Sequence, residues 1–333
     1  MNTKSIYTNC YEIVSTTDYF LYIFIGGRGI GKSYSMLSEA YKHQEMIMYV
    51  SRTDTELKNC CDEFTNPYKS INQNIGSNIS IKPNKDNALI IETIDKDHTN
   101  LIGYASALST FGKFRGADFS DVNLIIFDEF INTSPVNSLK GEAGLLFNLI
   151  ETINRNRELE DKEAVKVVLL SNSNTIDDDI IRVLNLGDQI QQMKTNNEHL
   201  YIDSERGIYL SLLENKTVKD MKLKTKLYKL TKGTSFYDMA IENEFTKDYF
   251  GDLKKINYQE LQPVVNYESV YFYKHKSKDI MLASHRKANC EKYNERTKQA
   301  FKRKYGYMFA YYIETGLMFY TDYNVKLEVK NIF

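Results

Sequence analysis

The chain has 333 residues, enough for two domains that each bury their own core. It is 42% apolar and 26% charged, as in an ordinary globular protein, which argues against a disordered chain. No apolar run approaches the roughly 18 residues that span a bilayer, and the first residues lack the apolar centre of a signal peptide. The four cysteines show no C-x-x-C spacing. We therefore expect an intracellular protein with reduced thiols and no membrane partner.

The net charge of −1 hides an uneven distribution. Residues 1–207 carry 20 basic and 29 acidic side chains, a net charge of −9. Residues 208–333 carry 23 basic and 15 acidic side chains, a net charge of +8. The change of sign predicts separate domains with separate partners, and a polyanion such as DNA or RNA would bind the basic part.

The first predicted strand, Leu21–Ile25, runs directly into the letters GGRGIGKS at residues 26–33. Glycines let the backbone curl so that successive N–H groups converge on phosphate oxygens. Lys32 supplies a cation for the β- and γ-phosphates, and Ser33 offers a hydroxyl to Mg²⁺ at the start of a helix, Ser33–Lys42. This pattern predicts a loop that binds the phosphates of a nucleotide. The predicted nucleotide-binding residues are Gly27, Arg28, Gly29, Ile30, Gly31, Lys32, Ser33, Tyr34 and, from a later strand, Asn172.

Short continuous apolar runs recur through the first two hundred residues, as expected of a parallel sheet covered on both faces. A hairpin is predicted over 79–93, and a helix with a 3.6-residue apolar period over 141–157. The alternation indicates the α/β class. The five predicted strands are Leu21–Ile25, Ile47–Val50, Leu101–Ala105, Leu124–Phe127 and Val165–Leu170.

The second decisive motif is the apolar strand that ends in Asp128 and Glu129. In phosphate-loop ATPases the first acid completes the Mg²⁺ shell, and the second can act as general base on the attacking water. The pair therefore predicts a P-loop NTPase of the additional-strand, catalytic-glutamate type with a mostly parallel sheet.

Three further features leave alternatives open. Arg155 and Arg157 end the predicted helix, where one of them could reach the γ-phosphate of a neighbouring subunit or simply complement the helix dipole. Asn172 or Ser171, at the end of a buried strand, could sense the γ-phosphate or orient the water, or the two could form a polar strand exit. Arg28 and Arg52 are candidate phosphate contacts or structural side chains.

The second half is divided into a lysine-rich linker, residues 208–232, and a C-terminal domain, residues 233–333. Strands are predicted at Val264–Tyr273 and Ile280–Ser284, and a basic helix at Ala288–Tyr305, followed by an aromatic stretch. The basic and aromatic side chains can grip a nucleic-acid backbone and stack on bases, or the aromatic rings can form a core beneath a hydrated basic rim.

The segments FIGGRGIGKSYSM, YVSR, LIIFDEFI, LLFNLIETINRNRE and VVLLSN occur in an order and spacing that resemble the DNA-packaging ATPases (encapsidation proteins) of phi29-like bacteriophages. The C-terminal part resembles that family more weakly. The segment after Arg52 departs from it, because Thr53-Asp54-Thr55 lacks a second basic residue, which puts a role of that loop in a neighbouring site in doubt.

The resemblance implies a terminase-like motor: a homo-oligomeric ring, usually pentameric, that moves double-stranded DNA into a prohead at the portal, in some cases with a packaging RNA. It assigns catalytic roles to Lys32, Glu129 and Arg155, with Arg155 supplied to the adjacent subunit, and assigns the metal to Ser33 and Asp128. It implies a C-terminal α+β domain like an RNase H-type nuclease that has lost activity. It places the protein in the cytoplasm of the infected host and transiently at the prohead portal vertex.

The leading hypothesis for residues 1–207 is an ATPase domain that drives DNA packaging, with residues 233–333 binding nucleic acid or the portal. One rival is another nucleic-acid ATPase such as a helicase, which would separate strands without a capsid. The other is a nucleotide-switched nucleic-acid-binding protein, which would bind ATP without moving DNA.

Overall fold

The computed structural model describes residues 6–85, 87–114, 117–131, 139–172, 178–233, 237 and 257–333. The chain divides into two compact units, and the boundary is crossed more than once. The first consists of Met1–Val183 and Met193–Glu244, and the second of Leu184–Gln192 and Phe245–Phe333. Within the described ranges, no helix combines the length and apolar character that a membrane span requires.

The first unit is built on one nine-stranded sheet in the order β3-β4-β5-β2-β6-β7-β1-β9-β8. The six strands from β5 to β9 in that order are parallel, and antiparallel hairpins extend both edges. The central strands β1 and β2 are buried along their whole length, as expected of parallel strands whose two faces are both covered. The strands are β1 Leu21–Gly26, β2 Ile47–Ser51, β3 Ile79–Asn84, β4 Asn87–Thr93, β5 Thr99–Ala107, β6 Leu124–Asp128, β7 Lys166–Asn172, β8 Leu200–Asp203 and β9 Ile208–Leu213.

Local sequence signals mark several helix starts. Thr53 and Glu56 form a capping box in which each side chain accepts a backbone N–H of the other residue. Asn9 and Asn215 cap two further helices through their side-chain oxygens. The helices are α1 Cys10–Thr16, α2 Lys32–Lys42, α3 Asp54–Cys61, α4 Lys69–Ile75, α5 Glu142–Asn154, α6 Asp179–Val183, α7 Gly187–Asn196, α8 Lys216–Leu223 and α9 Lys226–Leu230.

The parallel sheet, its five predicted strands and the 79–93 hairpin are confirmed. The prediction that a linker begins at residue 208 is wrong, because Ile208–Leu213 is β9 and pairs in parallel with β1. The lysine run that suggested a linker starts only at Lys216, after the strand has ended. The helix predicted over 141–157 ends at Asn154, because Arg155 has a φ of 47°.

The second unit has a five-stranded sheet in the order β13-β10-β11-β12-β14. Strand β11 is antiparallel to both neighbours, whereas β13 and β14 pair in parallel at the edges. Phe272, Phe301 and Phe309 form the centre of its core. The elements are β10 Leu261–Tyr267, β11 Val270–His275, β12 Met281–Ser284, β13 Glu291–Tyr293, β14 Met318–Tyr320, α10 Lys298–Glu314 and α11 Tyr323–Ile332.

Two predictions for this unit are wrong in detail. The single strand predicted over Val264–Tyr273 is a tight hairpin that turns at Glu268, whose φ is 50°. The helix predicted from Ala288 begins only at Lys298, because the preceding segment adds an edge strand, and it continues into the aromatic stretch. The likeness to an RNase H-type domain stays a prediction. The acidic side chains Asp238, Glu242, Glu244, Asp248 and Asp252 could by composition hold two metal ions, but their spacing within one short segment does not resemble a nuclease site, and they lie outside the described residues.

Candidate functional site

The phosphate loop connects the end of β1 to the start of α2. Gly29 and Gly31 have φ values of 67° and 106°, a region that L-residues with side chains rarely adopt. A Cβ on Gly31 would also lie 2.8 Å from the Cβ of Tyr7 and 3.0 Å from the carbonyl oxygen of Thr8. The loop therefore needs glycine at residue 31 for both its backbone angle and its close packing.

The loop opens onto a cavity of about 420 Å³ at the carboxyl ends of the central strands. Side chains from three separate parts of the sequence meet there, because β1, β6 and β7 are neighbours in the sheet. Two of the predicted residues, both among those that the structure describes, do not line the cavity: Ile30 is buried within the loop, and Gly27 contributes a carbonyl oxygen to Lys32. The lining residues are Arg28, Gly29, Gly31, Lys32, Ser33, Tyr34, Asp128, Glu129, Ser171 and Asn172.

Lys32 is held at the mouth of the loop by three acceptors. Its Nζ donates to the carbonyl oxygens of Gly26 and Gly27, both at 3.0 Å, and to Oδ1 of Asn172 at 3.2 Å. Burial lowers the pKa of Lys32 to about 8, and the nearby Asp128 carboxylate opposes that shift. Asn172 thus lies beside the lysine that would bind a phosphate.

Asp128 and Ser33 lie next to each other in this cavity. Burial raises the pKa of Asp128, and a hydrogen bond from Ser33 counteracts the rise. A carboxylate and a hydroxyl that line the same cavity side by side are placed to share one cation. Mg²⁺ prefers a few such oxygen ligands and keeps several waters, so these two side chains fit that ion.

Glu129 follows Asp128 in a strained backbone conformation. Its φ is 55°, its N–H donates to Oδ1 of Asp128 at 3.0 Å, and its side chain is exposed to the cavity. A non-glycine residue in the left-handed region persists only where its surroundings hold it. The backbone of Glu129 is therefore constrained, while its exposed side chain can contact a water molecule in the cavity.

Arg52 supplies much of that constraint. Its guanidinium donates to the carbonyl oxygens of Glu129, at 3.0 Å, and of Phe130, and its Nε donates to Oε1 of Glu142 at 2.8 Å. Arg52 and Glu142 are only 5% and 3% exposed. Burial raises the pKa of Glu142 to about 7, with Arg52 opposing the shift. Arg52 is thus a structural clamp within its own chain.

Arg155 and Arg157 both donate hydrogen bonds to the segment that precedes β6. Arg155 donates to the carbonyl oxygens of Ala117 and Thr152. Arg157 donates to those of Ser120, at 2.9 Å, and Val122. Among the described residues, neither arginine lines the cavity of its own chain. The role of Arg155 in an adjacent site stays a prediction.

Two contacts escaped sequence reasoning. Lys222 on α8 donates to the carbonyl oxygen of Arg28 inside the phosphate loop, and Glu142 pairs with Arg52. Lys222 is one of many lysines in its segment, and no spacing distinguishes it from the exposed ones. Glu142 opens a helix, where an acidic residue is common for dipole reasons.

This site belongs to a recognisable class. A strand, a glycine-rich loop and a helix present Lys32 and Ser33, and a second strand brings Asp128 and Glu129 to the same cavity. Together they form the arrangement that is typical of phosphate-loop nucleotide-binding proteins. The chain belongs to the podovirus DNA encapsidation protein (Gp16) family, whose sequence model matches residues 1–276.

Related proteins cover most of the chain. The DNA packaging protein of Bacillus phage B103 is 29% identical over 236 residues, which are 69% of this chain and 66% of the relative. The DNA packaging protein of Bacillus phage phi29 is 27% identical over 254 residues, which are 74% of this chain and 68% of the relative. The matches thus span about two thirds of the length of these relatives.

Solved structures share the fold. A chain of the bacteriophage phi29 viral genome packaging motor assembly has a TM-score of 0.65 at 19% identity, and the match covers 99% of both chains. The phi-28 gp11 DNA packaging motor has a TM-score of 0.55 at 19% identity, covering 95% of this chain and 94% of that chain.

Proposed function

We propose that this chain is an ATPase that drives double-stranded DNA into a phage prohead. One observation carries the proposal: Lys32, Ser33, Asp128 and Glu129 line a single cavity. Strand β7 lies between β1 and β6, as in the additional-strand, catalytic-glutamate type of phosphate-loop ATPase. Its last residue, Asn172, reaches the same cavity.

Each side chain has a distinct task in hydrolysis. The N–H groups of the loop and the ammonium of Lys32 bind the phosphates of ATP, and Asn172 orients Lys32 or senses the γ-phosphate. Glu129 accepts a proton from the attacking water. Mg²⁺, held by Ser33 and Asp128, would neutralise charge on the phosphates.

Two observations support the proposed partners: the family of the chain and the distribution of charge along it. The relatives are named DNA packaging proteins, and residues 208–333 carry a net charge of +8. Arg303 and Lys304 are exposed on α10 one turn before Tyr307, which is 94% exposed, while Phe301 and Phe309 are buried. Part of the aromatic stretch is therefore core, and part is available to a nucleic acid.

The proposed assembly is a ring, expected to be pentameric, at the portal vertex of a prohead in the infected cell, with a packaging RNA as a possible component. Arg155 would stabilise transition-state charge in the adjacent subunit's site. The second unit would bind nucleic acid or the portal and would be a nuclease-like domain without activity. Contacts of the motor with DNA would be mainly to phosphates, because packaging must proceed regardless of sequence.

The test is ATP hydrolysis and DNA uptake with purified proheads. Lys32→Ala should bind Mg-ATP poorly, and Glu129→Gln should bind it normally but hydrolyse it roughly 100-fold more slowly or worse. Both should stop DNA uptake. Normal hydrolysis by Glu129→Gln would refute the assigned mechanism, and strand separation without proheads would favour a helicase.

Arg155 is tested by mixing subunits. Arg155→Ala subunits have an intact cavity, and Lys32→Ala subunits have an intact arginine. Rings that contain both should show some hydrolysis wherever a Lys32→Ala subunit donates its Arg155 to the neighbour's intact cavity. Homogeneous rings of either variant should show almost none. Full hydrolysis by rings that contain only Arg155→Ala subunits would refute the role of Arg155 in the adjacent subunit's site.

A further inference from the structure

The phosphate loop is held from outside the cavity by two groups that lie far apart in the sequence. The ammonium of Lys222, on α8, donates to the carbonyl oxygen of Arg28. The backbone N–H of Thr8 donates to the carbonyl oxygen of Ile30 at 2.8 Å. Within the described part of the chain, neither Lys222 nor Thr8 lines the cavity. The two donors therefore hold alternate carbonyl groups of the loop away from the nucleotide site.

Peptide geometry links these carbonyl groups to the phosphate-binding amides. A trans peptide unit points its C=O and its N–H in opposite directions. The Arg28–Gly29 and Ile30–Gly31 bonds are trans, as are all peptide bonds in the described ranges. Holding the Arg28 carbonyl outward turns the N–H of Gly29 inward, and holding the Ile30 carbonyl outward does the same for Gly31. Convergent N–H groups of this kind bind phosphate.

The lysine is itself fixed. Its ammonium lies 5.6 Å from the ring centroid of Tyr228 on α9, and its terminal carbon would be 3.8 Å from a Cβ built on Gly29. The start of α8 is tied down as well, because the Asn215 side chain accepts from the N–H of Val218 and donates to the carbonyl oxygen of Ile6 at 2.8 Å. Burial lowers the pKa of Lys222, with a smaller contribution from the charge of Arg28. The side chain is thus packed against the loop.

We propose that Lys222 is a positioning residue that presets the phosphate loop for nucleotide through its hydrogen bond to the Arg28 carbonyl. Lys222 acts on the loop backbone and therefore contributes before the nucleotide arrives. The proposal rests on the proposed function only in taking ATP as the ligand. Coupling between two sites is reciprocal, so bound ATP should in turn stabilise α8, from which the chain continues to the second unit.

The first test is Mg-ATP binding to the full chain by titration calorimetry. Lys222→Ala should bind about tenfold more weakly than the unmodified protein, which equals about 1.4 kcal/mol. Lys222→Gln keeps an N–H donor without the charge and should bind within about threefold of the unmodified protein, because hydrogen bonding carries most of the effect. The matched control is Lys229→Ala, which removes the same charge from an exposed lysine on α9 and should leave affinity unchanged.

The second test needs no nucleotide. Amide hydrogen exchange in the segment 26–31 should be faster in Lys222→Ala than in Lys229→Ala, because the loop amides lose their preset orientation. Thermal unfolding of both variants checks that the fold is intact. Equal exchange in the two variants would overturn the proposal, as would unchanged affinity in Lys222→Ala or an affinity of Lys222→Gln as low as that of Lys222→Ala.

Failure of the proposed function would look different. An unmodified protein that does not bind Mg-ATP, or a Lys32→Ala variant that binds it equally well, would refute nucleotide binding in this cavity. The exchange comparison would still decide whether Lys222 positions the loop.

Discussion

The two units use charge in opposite ways. The first unit buries Lys32, Arg52 and Glu142, each no more than 6% exposed, around the carboxyl ends of its parallel strands. In the second unit, ion pairs such as Lys304 with Glu291 lie at the surface above an aromatic core. Burying a charge costs free energy unless it is paired and hydrogen-bonded. The difference agrees with the proposal that the first unit holds the ATPase site and the second provides a surface for binding.

The largest expected effect is on turnover when the Arg52 clamp is altered. Arg52→Lys keeps the positive charge but cannot reach the Glu129 and Phe130 carbonyl groups and Glu142 together. We expect ATP hydrolysis to fall by roughly 10- to 100-fold while Mg-ATP affinity changes by less than about threefold, because the general base loses its fixed position. Steady-state kinetics and calorimetry measure the two quantities. Equal losses of affinity and turnover would contradict a role in positioning Glu129.

The next effect is on the stability of the second unit. Phe309 is fully buried, with its ring centroid 4.4 Å from that of Phe272. Phe309→Ala should lower the free energy of unfolding by about 3–5 kcal/mol. Urea unfolding measures this free energy. Tyr307→Ala, at an exposed position, should change it by less than about 0.5 kcal/mol. If both units are independent cores, Mg-ATP binding should persist in Phe309→Ala. Loss of Mg-ATP binding in this variant would show that the two units are not independent cores.

A smaller effect concerns how the buried Arg52–Glu142 pair makes stability depend on pH. The pKa of Glu142 is raised from 4.5 to about 7 in the folded chain. The folded state therefore binds more protons than the unfolded state, and the contribution of this group to stability falls as pH rises from about 4.5 to about 7. Glu142→Gln can still accept the Arg52 hydrogen bond but does not titrate. Between pH 4.5 and about 7, the midpoint of thermal unfolding should decline less steeply with pH for Glu142→Gln than for the unmodified protein. An identical pH dependence in the two proteins would contradict the raised pKa of Glu142.

The smallest effect should come from the surface of the second unit. Lys304→Ala removes the ion pair with Glu291, whose side chains are 55% and 44% exposed. Exposed pairs contribute little, because solvent and salt screen them. The midpoint of thermal unfolding should hardly change and should depend little on added salt. If Lys304→Ala destabilised the protein as much as Phe309→Ala does, the stability of the second unit would depend on this ion pair, and the contrast between the two units would be lost.

Much of the first unit was predictable, because its signals are local. Leu21–Ile25 and the glycines after it form one continuous segment, so the strand and the bend can be read together. The Asp128 and Glu129 pair was recognisable for the same reason. The second unit was less predictable, since a turn at Glu268 carries no glycine or proline, and its edge strand Glu291–Tyr293 is only three residues long.

The sequence by itself determined the phosphate loop, the acidic strand end and the family, because each depends on residues that are adjacent in the chain. Only the tertiary structure decided that Ile208–Leu213 completes the sheet beside β1, that Arg52 clamps the backbone of Glu129, and that Lys222 holds the loop from outside. These contacts join residues 77 to 194 positions apart in the chain. Such pairs leave no periodic or local signature, because sheet order and helix packing alone bring them together.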